Sequence, residues 1–113
     1  MRKRGCVDEN QPQIVSELRK LGYSVLVMSS LGGGAPDILV GGLRPGKTYQ
    51  SIPGQSEMVP VDVRMNWAFE IKRSTGFPSD RRMTKDEMAW HRNWRGQIAV
   101  IETVEDALRV MTR

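Results

Sequence analysis

The apolar positions of the chain follow a helical period near its start. In residues 8–21 they recur so that they share one face, as in an amphipathic helix. Pro12 suits the first turn of a helix, because the N–H that it lacks would have no partner there. Asp8 or Asn10 can cap the helix, and Gly22 can end it. We therefore predict a first helix over residues 8–21.

Four other segments are short and apolar, which is typical of β-strands. The predicted strands are residues 23–28, 37–40, 67–72 and 98–101. The segment 37–40 is almost entirely apolar, so we expect a central strand that is buried on both faces. The segment 67–72 alternates, which places Glu70 and Lys72 on the same face of the sheet.

Residues 41–65 interrupt this pattern with prolines, glycines and polar side chains. We interpret residues 43–65 as a long hairpin insertion between the second and third strands. Residues 59–63 could form a short edge strand within it, because edge strands tolerate proline.

Two further helices carry candidate N-terminal caps. Thr84 and Glu87 have the spacing of a capping box, and that helix is expected to run to about residue 95, before a glycine. Thr103 can cap a last helix over residues 104–111. The predicted element order is αβββαβα, which indicates an α/β fold with a mixed sheet flanked by helices.

The length and composition favour one soluble domain. A chain of 113 residues, 39% apolar and 27% charged, is long enough for one core, so we predict a single domain over residues 1–113. The basic residues 1–7 are interpreted as a flexible tail. No apolar segment approaches the ~20 residues that cross a bilayer, and no apolar region follows the basic start as in a signal peptide. We therefore expect a cytoplasmic protein without a membrane partner.

The counts of cysteine and histidine exclude several kinds of site. A single cysteine, Cys6, cannot form an intrachain disulfide or a CxxC zinc site. A single histidine, His91, cannot supply a multi-histidine zinc site.

Residues 41–48, GGLRPGKT, match the phosphate-binding pattern G-x-x-x-x-G-K-[ST]. An NTP-binding protein that uses Lys47 is therefore one alternative function. Such a loop must lead into a helix, because the phosphate binds at the helix N-terminus. Pro53 and Gly54 disfavour a helix after Thr48, so we interpret the match as a coincidence.

Two carboxylates and a lysine occupy positions that suit hydrolytic chemistry. If the second and third strands pair antiparallel, Asp37 approaches Glu70, and the two carboxylates repel unless a cation lies between them. Oxygen ligands favour Mg²⁺ or Mn²⁺. Lys72 could then hold the attacking water or stabilise the charge that develops on phosphorus, as in metal-dependent phosphodiester hydrolysis. Taken alone, the Glu70-x-Lys72 pattern favours a solvated strand face with a cross-strand ion pair.

The order Pro36-Asp37 followed by Glu70-Ile71-Lys72 resembles the motif of the PD-(D/E)XK nuclease superfamily. More narrowly, the chain resembles stand-alone VRR-NUC domain proteins, many of which are encoded by phages. The matching segments are DENQPQIVSELRKLGYSV, GGGAPDILVGG, AFEIK and MTKDEMAWHRNWRGQIAVIETVEDALRVM, which cover most of the chain. The resemblance implies a restriction-endonuclease-like core in a structure-specific DNA endonuclease, similar to Holliday junction resolvases. It also implies a homodimer that uses Mg²⁺ or Mn²⁺, in the host cytoplasm if phage-encoded.

The same resemblance implies roles for individual residues. Asp37 and Glu70 correspond to the metal ligands, and the backbone carbonyl of Ile71 is a third. Lys72 corresponds to the catalytic lysine.

Family members also carry an acid and then a glutamine on the first helix. Asp8 and Gln11 fit these positions, three residues apart on one side of the helix, and Asp8 would join the metal ligands. Glu9 is an alternative to Asp8 as the acid of the first helix, and Asp8 could equally be a plain N-cap.

Many relatives have a glutamine in the second helix at the position of Glu87. The capping box explains Glu87 equally well. The insertion 43–65 exceeds the usual hairpin and could be a DNA-contacting flap or a dimer element.

Charge supports a nucleic-acid partner. The chain has 17 basic and 13 acidic residues, a net charge of +4 and a pI near 9.6. Seven basic and three acidic residues lie within residues 72–95, after the Glu70-x-Lys72 strand. The candidate contacts to the DNA backbone are Arg73, Arg81, Arg82 and Lys85. A non-catalytic nucleic-acid-binding module with the same fold is the other alternative function.

Overall fold

The computed structural model describes residues 10–51, 53–54, 58–73 and 82–113. The elements are α1 (Gln11–Lys20), β1 (Ser24–Val27), β2 (Ile38–Ser51), β3 (Met58–Ile71), α2 (Lys85–Asn93), β4 (Ile98–Ile101) and α3 (Val104–Met111). The predicted α/β class, with helices and a mixed sheet, is confirmed.

The four strands form one sheet in the order β1-β2-β3-β4. The strand β2 pairs antiparallel with both β1 and β3, whereas β4 pairs parallel with β3. A parallel pair needs a crossover connection, and α2 lies in that connection. The strands β2 and β3 are therefore central, so residues near their ends can meet inside the protein.

The core lies between the sheet and two helices. Helix α1 contacts β1 and α3, and α3 contacts β4. The buried apolar cluster is Ile14, Val15, Leu18, Ile38, Val40, Trp67, Phe69, Ile71, Ile101, Val104, Ala107 and Met111. Ala68, Glu70 and Lys72, which alternate with the core residues of β3, are also buried. Both faces of this strand end are thus shielded from water.

The described residues of the predicted hairpin 43–65 pair antiparallel, but they continue the two strands instead of forming a separate insertion between them. Strand β2 continues to Ser51, and β3 begins at Met58, so much of the segment belongs to two long paired strands. Residues 59–63 lie inside β3 and are not a separate edge strand.

This extension of the hairpin explains why its prolines and glycines are tolerated. The described pairing of β1 with β2 stops at Gly41, and that of β4 with β3 begins at Ala68. Beyond those positions each strand has one described neighbour, where proline costs less than in a central strand. The β2–β3 register also shifts between Arg44 and Thr48, which accommodates Pro45 in a bulge.

The P-loop match does not have the structure that it requires. Residues 41–48 belong to β2, and most of them pair with β3 instead of leading into a helix. This geometry contradicts an NTP-binding loop built on Lys47.

The bounds of α1, β1 and α2 also differ from the predictions. Helix α1 begins at Gln11, and Asn10 occupies its N-cap position without a capping hydrogen bond from its side chain. Asp8 and residues 1–7 lie outside the described residues. Strand β1 is one residue shorter at each end than predicted, and α2 ends at Asn93. The capping box of α2, the strand β4 and the helix α3 are confirmed.

Among the described residues, no helix has the length and hydropathy needed to cross a membrane.

Candidate active site

The register between β2 and β3 places Asp37 opposite Glu70. Ile38 pairs with Phe69, so the residue before Ile38 faces the residue after Phe69. The Asp37 N–H donates to the Phe69 carbonyl at 3.0 Å, and the Ile71 N–H donates to Asp37 Oδ2 at 2.7 Å. The approach of the two acids that antiparallel pairing predicted is therefore present.

A glycine turn leads into Asp37. Gly32, Gly33 and Gly34 have φ angles of 71°, 66° and 82°, a region that other residues rarely adopt. The Met28 N–H donates to the Asp37 carbonyl at 2.7 Å, so β1 stays close to β2 across the turn. Asp37 is left only 9% exposed.

Lys72 lies beside the carboxylates at the end of β3. Its Nζ is 3.5 Å from Glu70 Oε1 and 2.9 Å from Glu87 Oε1. Its backbone N–H donates to the Ile101 carbonyl at 2.9 Å, which holds it next to β4. Glu70 and Lys72 are 3% and 4% exposed, so water screens their charges weakly.

The environment raises the pKa of Glu70 to about 10. Burial is the largest cause, a hydrogen bond with the Glu87 carboxyl is the next, and the negative charge of Asp37 adds to them. The positive charge of Lys72 opposes these effects only in part. Glu70 is therefore a neutral acid near pH 7 when no cation neutralises the site.

The pKa of Glu87 moves in the opposite direction, to about 2. Burial would raise it, but hydrogen bonds from Glu70, Lys72 and the Thr84 backbone outweigh burial. Burial would lower the pKa of Lys72, yet that pKa is raised because Glu87 and Glu70 favour the ammonium. An ionised Glu87 and a charged Lys72 thus form an ion pair next to a protonated Glu70.

One oxygen of this cluster indicates room for a cation. Glu70 Oε2 is buried and has no hydrogen-bond partner among the described residues, which is costly for a polar atom. The oxygen groups that the sequence assigns to the metal are the carboxyl groups of Asp37 and Glu70 and the carbonyl of Ile71. This all-oxygen set fits Mg²⁺ or Mn²⁺, since Mg²⁺ commonly takes one or two carboxylates and completes its shell with water and phosphate oxygens.

The described residues by themselves do not form a complete metal site. They contain no group of three His, Cys, Asp or Glu side chains arranged to hold a metal ion. Asp8 and Glu9, the candidate acids of the first helix, lie outside the described residues.

The start of α1 is attached to this strand end through Asn10. Its Nδ2 donates to the carbonyls of Lys72, at 3.2 Å, and Glu102, at 2.7 Å. These residues follow the parallel strands β3 and β4, so one amide joins the two strand ends. Asn10 therefore helps to fix the backbone from which the Lys72 side chain extends.

Gln11, which the sequence places in the site, is 3% exposed. Its Nε2 lies 3.3 Å from Ser29 Oγ, and its Oε1 has no hydrogen-bond partner among the described residues. The structure buries Gln11 beside Asn10 but describes no hydrogen bond between it and Asp37 or Glu70.

The structure gives Glu87 a larger role than its capping box. The resemblance pointed to this position, but only the fold shows that the side chain reaches Lys72. The role of Asn10 could not be recognised from the sequence, because its hydrogen-bond partners are 62 and 92 residues away.

His91 lies one turn beyond Glu87, and its Nε2 is buried without a partner among the described residues. Burial lowers the pKa of His91, Lys72 lowers it further, and Glu87 opposes both.

The candidate DNA contacts lie in different environments. Arg73 is half-buried directly after Lys72, whereas Arg82 and Lys85 are exposed near the start of α2. Arg81 lies outside the described residues. Two of the four predicted contacts are thus on the surface beside the helix that carries Glu87.

Comparisons with models of protein families, with curated proteins and with solved structures find no match for this chain. Function is therefore inferred from the sequence pattern and from the chemistry of the site.

Proposed function

We propose that the protein is a metal-dependent endonuclease that hydrolyses phosphodiester bonds in DNA. One observation carries this proposal: Asp37 and Glu70 face each other across two central strands, with the Lys72 ammonium 3.5 Å from Glu70. All three residues are at least nine-tenths buried. Burial of two acids and a lysine is unfavourable for folding, because each loses contact with water. Metal-assisted hydrolysis of phosphodiesters requires such a group of side chains, which supports a catalytic role.

The side chains divide the work of hydrolysis. Asp37, Glu70 and the Ile71 carbonyl would hold Mg²⁺ or Mn²⁺, which when bound supplies a Lewis acid and lowers the pKa of a coordinated water. The Lys72 ammonium donates hydrogen bonds to the attacking water or to a non-bridging phosphate oxygen, where negative charge grows. Glu87 orients Lys72 through the 2.9 Å contact between their side chains. A water oxygen bonds to phosphorus as the bond to one bridging oxygen breaks.

Branched DNA is the substrate class that we propose. A single domain of this size offers little surface for a base-specific code, so the shape of the DNA is the simpler signal. The resemblance to VRR-NUC proteins supports junctions and flaps as substrates and a homodimer as the working unit. Two equivalent sites related by a two-fold axis would allow paired cuts at a four-way junction.

The test is a cleavage panel of linear duplex, flap and four-way junction DNA with Mg²⁺ or Mn²⁺. We expect wild type to cut a branched substrate, and Asp37→Asn to lose activity by more than about 100-fold. Asp62→Asn is the matched control, because Asp62 is an exposed acid on β3, away from the site. If wild type cuts no substrate with either metal, the proposal is wrong.

A second candidate is a non-catalytic nucleic-acid-binding module. The contacts of Lys72 with Glu87 and Glu70 favour it, because they pair the charge of the lysine without a metal. Lys72→Met distinguishes the two functions. An endonuclease loses cleavage while it still binds DNA, whereas a binding module shows no cleavage in either protein. Lys20→Met, at an exposed position on α1, is the control for the loss of one positive charge.

A further inference from the structure

Two tryptophans lie at the end of α2, with Trp90 half-buried inside the helix and Trp94 exposed just after it. They pack against each other, with ring centroids 4.9 Å apart and planes inclined by 30°. Trp94 is 46% exposed, and α2 has no buried residue among those described. The described hydrophobic core includes neither tryptophan.

The pair lines a shallow pocket on the side of α2. The pocket has a volume of about 320 Å³ and is lined by Gly33, Asp86, Ala89, Trp90, Asn93 and Trp94. This volume lies at the lower end of the range for small-ligand sites. Its walls combine two aromatic rings with one carboxylate and one amide. A flat ring with hydrogen-bonding groups on its edge complements such walls.

The Trp94 indole lies directly against Gly96. A Cβ built on Gly96 would lie 2.7 Å from Trp94 Nε1, so a side chain at this position would displace the ring.

Exposed basic residues lie close in sequence to the pocket residues and indicate what kind of molecule carries the flat ring. The exposed basic residues on α2 and just outside it are Arg82, Lys85, Arg92 and Arg95. The polar groups inside the pocket are those of Asp86 and Asn93. A phosphate would be repelled by the carboxylate but attracted to the exposed basic residues. A nucleotide of a polynucleotide chain fits both regions, with its base inside and its phosphates outside.

We propose that the pocket formed by Trp90, Trp94, Asp86 and Asn93 binds one unpaired nucleobase of a DNA strand. The base stacks on the exposed indole, and the Asp86 carboxylate accepts hydrogen bonds from the N–H groups on its edge. Guanine offers two adjacent donors to a carboxylate and thymine offers one, so guanine binds more tightly.

This inference deepens the proposed function, because it explains how a small nuclease selects branched DNA. Helix α2 carries both Glu87, whose side chain contacts Lys72, and Trp90, which lines the pocket. A single-stranded flap exposes unpaired bases, whereas a fully paired duplex does not. A captured base would anchor such a substrate beside the catalytic cluster.

The test uses short single-stranded oligonucleotides in EDTA, so that it does not depend on cleavage. Three oligonucleotides differ at one central position, which holds guanine, thymine or no base. Tryptophan fluorescence reports binding, since Trp67 is 3% exposed and its signal stays constant. We expect quenching by the guanine oligonucleotide and about tenfold weaker binding of the abasic one. Equal affinity for the three would overturn the proposal.

Variants locate the binding. Trp94→Leu should weaken binding of the guanine oligonucleotide by about tenfold, whereas Met88→Ala, at an exposed position on the same helix, should leave it unchanged. Asp86→Asn should remove the preference for guanine over thymine while the abasic oligonucleotide still binds weakly. If Trp94→Leu instead converts a dimer to a monomer without affecting oligonucleotide binding, the face is an interface between copies and the proposal is wrong. Base binding without cleavage would refute only the nuclease function, and cleavage without base binding would refute only this inference.

Discussion

Lys72 Nζ lies 2.9 Å from Glu87 Oε1, and this ion pair joins the end of β3 to the first turn of α2. The same Glu87 oxygen accepts a hydrogen bond from the Thr84 N–H at 2.9 Å. One carboxylate thus caps a helix and holds the candidate catalytic lysine. Because α2 has no buried residue among those described, its attachment depends on polar contacts more than on apolar packing.

Substitution of Glu87 should therefore affect both stability and activity. Glu87→Ala removes the cap and the partner of Lys72, so we expect the free energy of unfolding to fall by about 1–3 kcal/mol. Glu87→Gln keeps an oxygen that can accept both hydrogen bonds, so it should retain most of that stability. Urea denaturation checks both variants, and Glu105→Ala, at an exposed acid in the first turn of α3, is the control. Equal stability of Glu87→Ala and wild type would contradict this role.

Metal binding should be measurable without DNA. Wild type should gain about 2.7 kcal/mol of stability when Mn²⁺ is present at 100 times its dissociation constant. Without metal, the raised pKa keeps the Glu70 carboxyl uncharged, and the amide of Glu70→Gln is uncharged as well. The free energy of unfolding in EDTA should therefore change by less than about 1 kcal/mol. The gain from Mn²⁺ should disappear in that variant and persist in Asp62→Asn. Thermal denaturation with and without Mn²⁺ measures both effects, and an undiminished gain in Glu70→Gln would exclude Glu70 as a ligand.

Asn10 should contribute to stability through its donor group. Asn10→Asp keeps the shape of the side chain but replaces the NH₂ that bonds the Lys72 and Glu102 carbonyls with a charged oxygen. We expect a loss of about 2 kcal/mol or more, since two buried acceptors then lose their partner. Asn66→Asp, at an exposed position on β3, is the matched control. Urea denaturation measures the free energy of unfolding of both variants. If Asn10→Asp unfolds like wild type, as the control should, Asn10 does not have this role.

The central part of the candidate site follows from the sequence because it depends on local spacing and one register. The apolar run after Asp37 and the alternation around Glu70 predict two buried strands. Antiparallel pairing then brings Asp37 to Glu70, and Lys72 follows from its separation of two residues. These relations need no knowledge of distant parts of the chain.

Other features depend on contacts that spacing does not determine. The sequence does not predict that β2 continues to Ser51 or that β3 begins at Met58, because proline and glycine usually mark loops. Pairing at a sheet edge tolerates both residues. The contact between Glu87 and Lys72 depends on how α2 lies against the sheet. The exposure of Trp94 also depends on how α2 lies against the sheet, because helical spacing alone does not distinguish a core face from a binding face.

The glycine turn should be sensitive at one position in particular. Gly33 and Gly34 both have positive φ, but only at Gly34 would a Cβ overlap the backbone of Asp86 and lie 2.7 Å from its Cβ. Alanine at Gly33 meets open space, so it should cost about 1–2 kcal/mol of backbone strain alone. Gly34→Ala should cost at least about 1 kcal/mol more, because α2 must also move. Urea denaturation compares the two, and equal losses would show that the turn does not support α2.

The pKa of Asp106 gives a prediction for pH. The pKa of Asp106 is lowered chiefly because the Glu102 N–H donates to Asp106 Oδ2 at 3.0 Å. Burial, the next-largest effect, would raise this pKa, but hydrogen bonds from Arg109 and Thr103 also lower it. A lowered pKa in the folded state means that the ionised form stabilises the fold. This contribution is complete above the ordinary pKa of aspartate and is lost as the pH falls through the lower, folded-state value.

Asp106→Asn should therefore be less stable than wild type near neutral pH, by about 0.3–1 kcal/mol, because it lacks the negative charge at the N-terminus of α3. The difference should shrink as the pH falls from about 7 to about 3, since wild type then loses the same charge. Urea denaturation of both proteins across that range measures it. Glu105→Gln, an exposed acid in the same turn, should show a smaller difference at every pH because it does not form the capping box. A difference for Asp106→Asn that stays constant down to acid pH would mean that geometry, and not charge, accounts for the role of this residue.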